Sequence, residues 1–473
     1  IYWWPEEFRQ AYLQAKKLVD KGVATVRQGL ATANNDRFVK YYWEVRLENI
    51  ELENSRSSKI HSCKKWYPYI KGAAGRRWVQ PAEEIVLWRN DGQEIRNFFP
   101  FGSSKLASRP QAVEYYFMQG LAFSYIGTSG FLCRLRKFKS IFDVSGSSIF
   151  CKDPEKMQVI LSSNLSGYVS QSINPTINNQ VGDIENLPVL DFIKDHTTYL
   201  SRAEALYDRL FASTESNLEY TYEHLDPETF EVEEARIRDE IDKEILAHFS
   251  RETAAAIYRE IGESVFDFPA WDGQPASIPA DFAAAYQESA SVEGLCRRYR
   301  LHPDSILAIK GALGLVHAAQ AADEVFKHLS WAIGVLVGRF DAQTGGLVDL
   351  AAERLAQAGQ QPDPAAPKGH KHGLLYLSAL DGHDGLDRKL DTNSGPAGLA
   401  TLRSILAYKH GEADAARIWE AIQTVLVLEG RSDWTPAQRD KRNLGRWLRE
   451  EAFARHLALY DNRPIYFPLV STK

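Results

Sequence analysis

The chain has 473 residues, 44% of them hydrophobic and 25% charged, with 11 Trp, 21 Tyr, 22 Phe and a net charge of -6. That composition excludes a disordered or collagen-like chain and supplies ample core material, and the length predicts about three domains at the usual ~150 residues each. The charge is unevenly spread: residues 1–190 hold 25 Lys and Arg against 18 Asp and Glu, whereas residues 191–473 hold 31 against 44. A basic front suits a polyanion, and an acidic back is repelled by one.

Residues 5–20 place Phe8, Tyr12, Ala15 and Val19 at helical spacing, with Lys21-Gly22 as a stop, which predicts a docking helix. From Val23 to about Leu190 the texture changes to short alternating runs rich in Val, Ile, Tyr, Phe and Trp, punctuated by Asn-Asp, Asp-Gly and Pro, and a mixed, strand-rich domain is expected. Within it, Ile85–Arg89 and Glu94–Phe98 read as hairpin strands around Asp91-Gly92. After Leu190 the pattern is helical: Leu200, Ala203, Leu206, Tyr207, Leu210 and Phe211 trace one face, and Ile237, Ile241, Ile245 and Phe249 recur every four residues. Residues 266–281, with Pro269, Pro275 and Pro279, form the best linker candidate; Ala- and Leu-rich helical segments follow at 282–340 and at about 397–460, separated by a Pro- and Gly-rich loop at 356–373. The fold class expected is α+β, a strand-rich domain followed by a mostly helical region. The chain opens with Ile1 inside what reads as a folded segment, so it is expected to be a piece of a larger protein.

Cys63, Cys133, Cys151 and Cys296 are far apart and form no CxxC pair, so neither a zinc ribbon nor a disulfide framework is indicated and a reducing cytoplasm is the expected location. No apolar run approaches the roughly 20 residues that span a bilayer, so no membrane partner is expected. There is no GxxxxGK[ST] loop, and Gly72/Gly75 and Gly127/Gly130 lack the strand-then-helix context of a nucleotide turn. A base-amine methylase needs a cofactor glycine motif and a [DN]PP[YF] element. The nearest string, Asn174-Pro175-Thr176-Ile177, has neither the second proline nor the aromatic residue. Glu84, Asp91 and Glu94 lack the following lysine of a nuclease motif and read as solvated strand ends, and His370 and His372 lack the spacing of a zinc helix. No catalytic, cofactor or metal residue is therefore assigned.

The run Lys64–Trp78, KKWYPYIKGAAGRRW, alternates five cationic with four aromatic side chains. Such residues neutralise phosphates and stack on bases, which makes Lys64, Lys65, Lys71, Arg76 and Arg77 candidate nucleic-acid contacts; the competing reading is a basic surface loop with half-buried aromatics. Arg76 or Arg77 is also a candidate for pairing with a guanine edge, an interaction that discriminates by roughly 1 to 3 kcal/mol. Thr32, Asn34, Asn35 and Arg37 beside Gly29 supply short polar groups, read either as DNA contacts or as an Asn-Asp turn capped by its own side chains. Ser103, Ser104, Lys105 and Arg109 after Gly102 form a further candidate loop. In RLRKFK, alternation puts Arg134 and Arg136 on one strand face, which is either a contact face or a solvated one. Trp331, Ile333, Val335 and Leu336 read as core.

Four strings in this order, GLATANNDRFVKYYWEV (29–45), Lys64–Trp78, DVSGSSIF (143–150) and NPTINNQVGDIENLPV (174–189), resemble the target-recognition domain of the large adenine-specific DNA methyltransferases of bacterial phage defence, the PglX-type BREX enzymes and their DISARM relatives. LSWAIGVLVGRFD (329–341) and HLALYDNRPIYFPL (456–469) resemble the C-terminal region of the same family. The resemblance implies a division into a docking helix at 1–21, a DNA target-recognition domain at 22–190, a helical spacer at 191–281 and an α-helical C-terminal domain at 282–473. It further implies that S-adenosylmethionine is bound by an N-terminal methyltransferase domain outside these residues, with duplex DNA, that domain and other phage-defence proteins as partners. The alternatives are a stand-alone specificity subunit serving a separate methylase, or a protein-interaction scaffold of a defence complex.

Overall fold

In the computed structural model, which describes residues 2–52, 64–72, 76–126, 131–176, 178–262, 264–271, 277–289, 291–369, 399–427, 435, 444, 447–448 and 451–465, short Val-, Ile- and aromatic-rich runs form two mixed sheets. The strands are β1 Ala24–Arg27, β2 Val39–Tyr41, β3 Trp66–Ile70, β4 Trp78–Gln80, β5 Glu84–Leu87, β6 Leu121–Phe123, β7 Cys133–Arg136, β8 Ile141–Phe142 and β9 Ser148–Cys151. One sheet runs β1-β9-β6-β7-β4 and the other β2-β5-β3-β8; only the β4–β7 and β3–β8 pairs are parallel. Every residue of β4, β6, β7 and β8 is buried, so both faces of these strands are covered rather than one being left to water. Phe38, Trp88, Ile95, Tyr116 and Phe142 lie in one core cluster.

Helices accompany these sheets: α1 Glu6–Gln14, α2 Asn35–Phe38, α3 Arg89–Arg96, α4 Pro154–Leu161, α5 Asn164–Ile173, α6 Val181–Glu185, α7 His196–Ser213, α8 Pro227–Leu246 and α9 Arg251–Glu260. Their starts follow capping chemistry. Asp153 and Asp226 each precede a proline at the first helical position and accept a backbone N–H three residues on, at 3.0 and 3.1 Å. Leu200, Ala203, Leu206 and Tyr207 of α7 and Ile237, Ile241 and Ile245 of α8 are buried, as their spacing predicts.

Two local expectations are corrected. The predicted hairpin does not form: β5 pairs with β2 and β3, while the residues after it coil into α3. Asn90, Asp91 and Gly92 take left-handed φ of 52, 55 and 73°, and a Cβ at Gly92 would lie 2.5 Å from the Trp88 indole, so this turn wraps back over a buried tryptophan. The predicted helix 5–20 stops at Gln14. Beyond it the chain bridges Pro188 through Lys17 and then turns, with the Leu18 N–H donating to Leu187 O at 3.1 Å and the Val189 N–H to Lys16 O at 2.8 Å. That pairing ties the 174–189 string to the start of the chain, with Ile184 and Leu187 buried.

The chain divides into two compact units, one of residues 1–210, 225–275 and 290–308 and the other of residues 211–224, 276–289 and 309–473. The first carries both sheets. The second is helical among its described residues, with Ala318–Leu336, Val348–Gln357, Leu399–His410, Glu412–Ala421 and Ala452–Leu459 as its main helices. Trp331, Ile333, Val335 and Leu336 are buried core there, and the Trp331 indole N–H donates to Gly345 O at 2.9 Å. Deep in this unit, Glu215 Oε1 accepts from the Ser330 hydroxyl at 2.8 Å and from the Tyr460 hydroxyl at 2.9 Å. The whole is an α+β fold.

Candidate nucleic-acid interface

The basic and aromatic run does not form one exposed patch. Tyr67, Tyr69 and Trp78 are buried, and residues 73–75 at its centre lie outside the described residues. Lys71 Nζ sits 3.0 Å from Glu84, and Arg76 Nη1 2.6 Å from Glu83. Arg77 points inward: its backbone N–H donates to the Tyr207 hydroxyl at 3.2 Å, and its guanidinium lies 4.0 Å from Glu234, which accepts from the same hydroxyl at 2.7 Å. Burial pulls its pKa down to about 10. Arg77 is thus a tie from β4 to α7 and α8, and its guanidinium is turned to Glu234 rather than presented to a guanine edge. Lys64 is half-buried and Lys65 exposed. Burial also raises the pKa of Glu84 despite its lysine partner, and Asp91 is held by Arg96 at 3.2 Å, so these carboxylates serve ion pairs.

Arg134 and Arg136 are corrected as well. They do share a face of β7, as alternation requires, but that face is interior and both side chains are wholly buried. Arg134 Nε donates to Gln80 Oε1 at 2.6 Å and its Nη1 to the Ser124 hydroxyl at 3.2 Å. Arg136 donates to the Met118 carbonyl and lies over the rings of Phe142 and Phe150, at 5.5 and 5.1 Å, with Nε and Nη1 lacking hydrogen-bond partners. Burial lowers their pKa values to about 10 and about 9. Neither guanidinium reaches a ligand at the surface.

What the fold brings together instead are the two remaining candidate segments. Ala31 and Arg109 form an antiparallel bridge, the Arg109 N–H donating to Ala31 O at 2.8 Å and the Ala31 N–H to Arg109 O at 3.1 Å. The polar string beside Gly29 and the loop after Gly102 are therefore neighbours. Gly29 is required by close approach, since a Cβ there would lie 1.8 Å from the Phe142 carbonyl oxygen. Within the string the capping reading accounts for most of the polar groups. Thr32 is buried and its hydroxyl donates to Asn35 Oδ1 at 2.6 Å, while Asn34 Oδ1 caps α2 by accepting the Arg37 N–H at 3.0 Å. The Arg37 side chain is left outward, 56% exposed and 3.9 Å from an equally exposed Glu94, a pairing that contributes little. Its guanidinium also lies 5.5 Å from the Phe98 ring, at the entry to the second loop.

That second loop, residues 98–109, is closed by the Ala107 N–H donating to Phe98 O at 3.3 Å and by the Ser108 hydroxyl donating to Ile95 O. Ser103, Ser104, Lys105 and Arg109 are all exposed on it. So are Phe99, Phe101 and Leu106, which sequence reasoning passed over. FFPFG reads as ordinary core aromatics beside a turn; the Pro-Phe-Gly tip was the one available hint. On these neighbouring segments the exposed Arg37, Lys105 and Arg109 can neutralise phosphates and the exposed aromatic rings can offer flat faces to bases. Among the described residues no group of three His, Cys, Asp or Glu is placed to hold a metal, and no helix is long and apolar enough to cross a membrane. Cys133, Cys151 and Cys296 are free thiols, with burial pushing Cys133 and Cys296 up to about 12 and Cys151 to about 11. Cys63, His370 and His372 lie outside the described residues.

An α+β chain with a mixed-sheet unit and a helical unit, carrying these segments, is similar to part of a class of bacterial adenine-specific methyltransferases. It is 23% identical to the adenine-specific methyltransferase PglX of Lacticaseibacillus casei over 477 aligned residues, covering 99% of this chain and 35% of that protein. It is 28% identical to the adenine-specific methyltransferase BrxX of Escherichia coli over 195 residues, covering 40% of this chain and 15% of that protein. The chain therefore spans about a third of the first relative's length. No protein-family model matches it.

Proposed function

We propose that this chain recognises a duplex DNA sequence as the target-recognition and C-terminal part of an S-adenosylmethionine-dependent, adenine-specific DNA methyltransferase of BREX-type phage defence. The observation that carries the reading is the Ala31–Arg109 bridge, which makes the Arg37-bearing string and the loop of exposed Lys105 and Arg109 neighbours in the sheet-bearing unit of a chain similar to adenine-specific methyltransferases along nearly its whole length. Methyl transfer and the cofactor site are assigned to a methyltransferase domain outside these residues, consistent with the absence of a [DN]PP[YF] string from the sequence. Binding of the 473-residue chain to a 30-base-pair duplex of mixed sequence, followed by anisotropy across a salt series, tests the DNA step. Three phosphate contacts give a slope of log K against log salt of about -2.7, from about -0.9 for each. Absence of binding at low salt overturns the proposal.

A further inference from the structure

The loop between Phe98 and Arg109 carries a feature that phosphate binding does not use. Ser103 N–H donates to Pro100 O at 2.9 Å and Gly102 has φ 78°, the geometry of a type II β-turn with Phe101 at its second position and Gly102 at its third. Phe101 at that tip is fully exposed, and Phe99 and Leu106 beside it are 50% and 55% exposed. A large side chain held in water by a hydrogen-bonded turn contributes nothing to the core, and leaving it there forgoes the stabilisation that burial of a Phe supplies. The turn is fixed from both sides, by the Ala107-to-Phe98 hydrogen bond and by the Lys105 N–H donating to Ser103 Oγ at 3.1 Å, so the ring is presented in a preset position. The charges around it select the occupant. Exposed Lys105 and Arg109 lie on the same loop as the tip and Arg37 lies against the Phe98 ring at its base, so the segment pairs an apolar tip with cationic residues, the combination that suits a stacked, apolar interior flanked by phosphates.

We infer that Phe101 is a wedge that inserts between adjacent base pairs of duplex DNA while Lys105, Arg109 and Arg37 hold the flanking phosphates. The inference rests on the DNA-binding reading above and deepens it: part of the readout falls on the base step that unstacks at least cost, typically a flexible pyrimidine–purine step. Pyrimidine–purine steps are therefore enriched beneath the loop in bound sequences.

The test uses the whole chain and 30-base-pair duplexes enriched on it from a randomised pool, with permanganate oxidation to report unstacked thymines. Wild type renders one or two thymines hyper-reactive. Phe101→Ala abolishes the hyper-reactivity and weakens binding about tenfold, the loss expected for one aromatic–base stack, while Phe101→Trp retains both. Because the ring touches no core residue, thermal unfolding of both variants coincides with wild type. Binding without hyper-reactivity, or hyper-reactivity that survives Phe101→Ala, overturns the wedge and leaves DNA recognition standing. Failure of the wild-type chain to enrich or bind any duplex overturns both.

Discussion

Ala31 and Arg109 exchange both of their backbone hydrogen bonds, so the main chain of Arg109 anchors a loop while its side chain stays free to face outward. The two roles separate by substitution. Arg109→Ala keeps the bridge and is expected to lower the salt dependence of DNA binding by about 0.9 in log–log slope with no change in Tm, as are Arg37→Ala and Lys105→Ala. A uniform loss of affinity with an unchanged slope would remove these residues from the phosphate set. Arg109→Pro deletes the N–H of the bridge, and faster hydrogen exchange throughout residues 98–109 is the expected result.

Arg77 and Arg136 respond as interior groups. Arg77→Ala removes one cationic neighbour of Glu234 but keeps the backbone N–H bond to the Tyr207 hydroxyl, and Glu234 retains that hydroxyl and Arg238 at 3.7 Å, so the expected cost in urea unfolding is about 1 kcal/mol, less than for a broken buried pair. Arg136→Met keeps the volume over Phe142 and Phe150 and removes a buried charge with two unpartnered nitrogens, so stability is expected to hold or rise. If Arg136→Met instead abolished DNA binding with Tm intact, its assignment to the interior would fail.

Gly29→Ala forces a Cβ against the Phe142 carbonyl, which itself accepts the Leu30 N–H at 2.8 Å. Backbone on both sides leaves no flexible group to yield, and the expected cost is about 3 kcal/mol. A cost under about 1 kcal/mol by the same denaturation would show that the two segments are not held this closely.

Glu215 makes a contribution to the stability of the helical unit that falls as pH rises. Burial drives the Glu215 carboxyl up to about 7, outweighing the Ser330 and Tyr460 hydrogen bonds, against an ordinary value of 4.5. A carboxyl raised in the folded state keeps its full stabilisation below pH 4.5, and loses it as pH climbs through about 7. Glu215→Gln preserves an acceptor for both hydroxyls and should raise Tm at pH 8 with little effect at pH 4.5. Buried His328 and His456 act in the opposite sense: their pKa values are depressed to about 4, so their contribution is present above 6.5 and disappears as pH falls through about 4. An E215Q chain whose Tm follows wild type at every pH would exclude Glu215 from the alkaline decline.

Where periodicity alone decides burial, the sequence was legible: the four-residue recurrence of Ile237, Ile241 and Ile245 and the apolar face of Leu200 to Tyr207 both lie inward. Pairing over long distance was not. Ile85 and Val86 belong to a strand, but their partners are β2 and β3, which no local turn chemistry announces. Alternation placed Arg134 and Arg136 on one face, yet which face meets water depends on what covers the sheet. Phe101 shows the converse, because an aromatic residue beside Pro and Gly has the composition of a core turn and only its surroundings reveal that nothing packs on it. In the charge-rich run at 64–78, Lys71, Arg76 and Arg77 are paired by Glu84, Glu83 and Glu234, carboxylates that lie outside the run, the last of them on a distant helix.

The carboxylate of Glu215 also has a consequence for how the chain matures on the ribosome. Residues 211–224 emerge early, but one of their two buried hydroxyl partners, Tyr460, is translated only after all of α8, α9 and the later helices. Residues 1–210, 225–275 and 290–308 already supply both sheets and their covering helices, so that unit can condense while synthesis continues. Until Tyr460 is made, the Glu215 carboxyl lacks one of these two partners and part of the enclosure that raises its pKa. The helical unit cannot complete this buried cluster before the end of the chain is made.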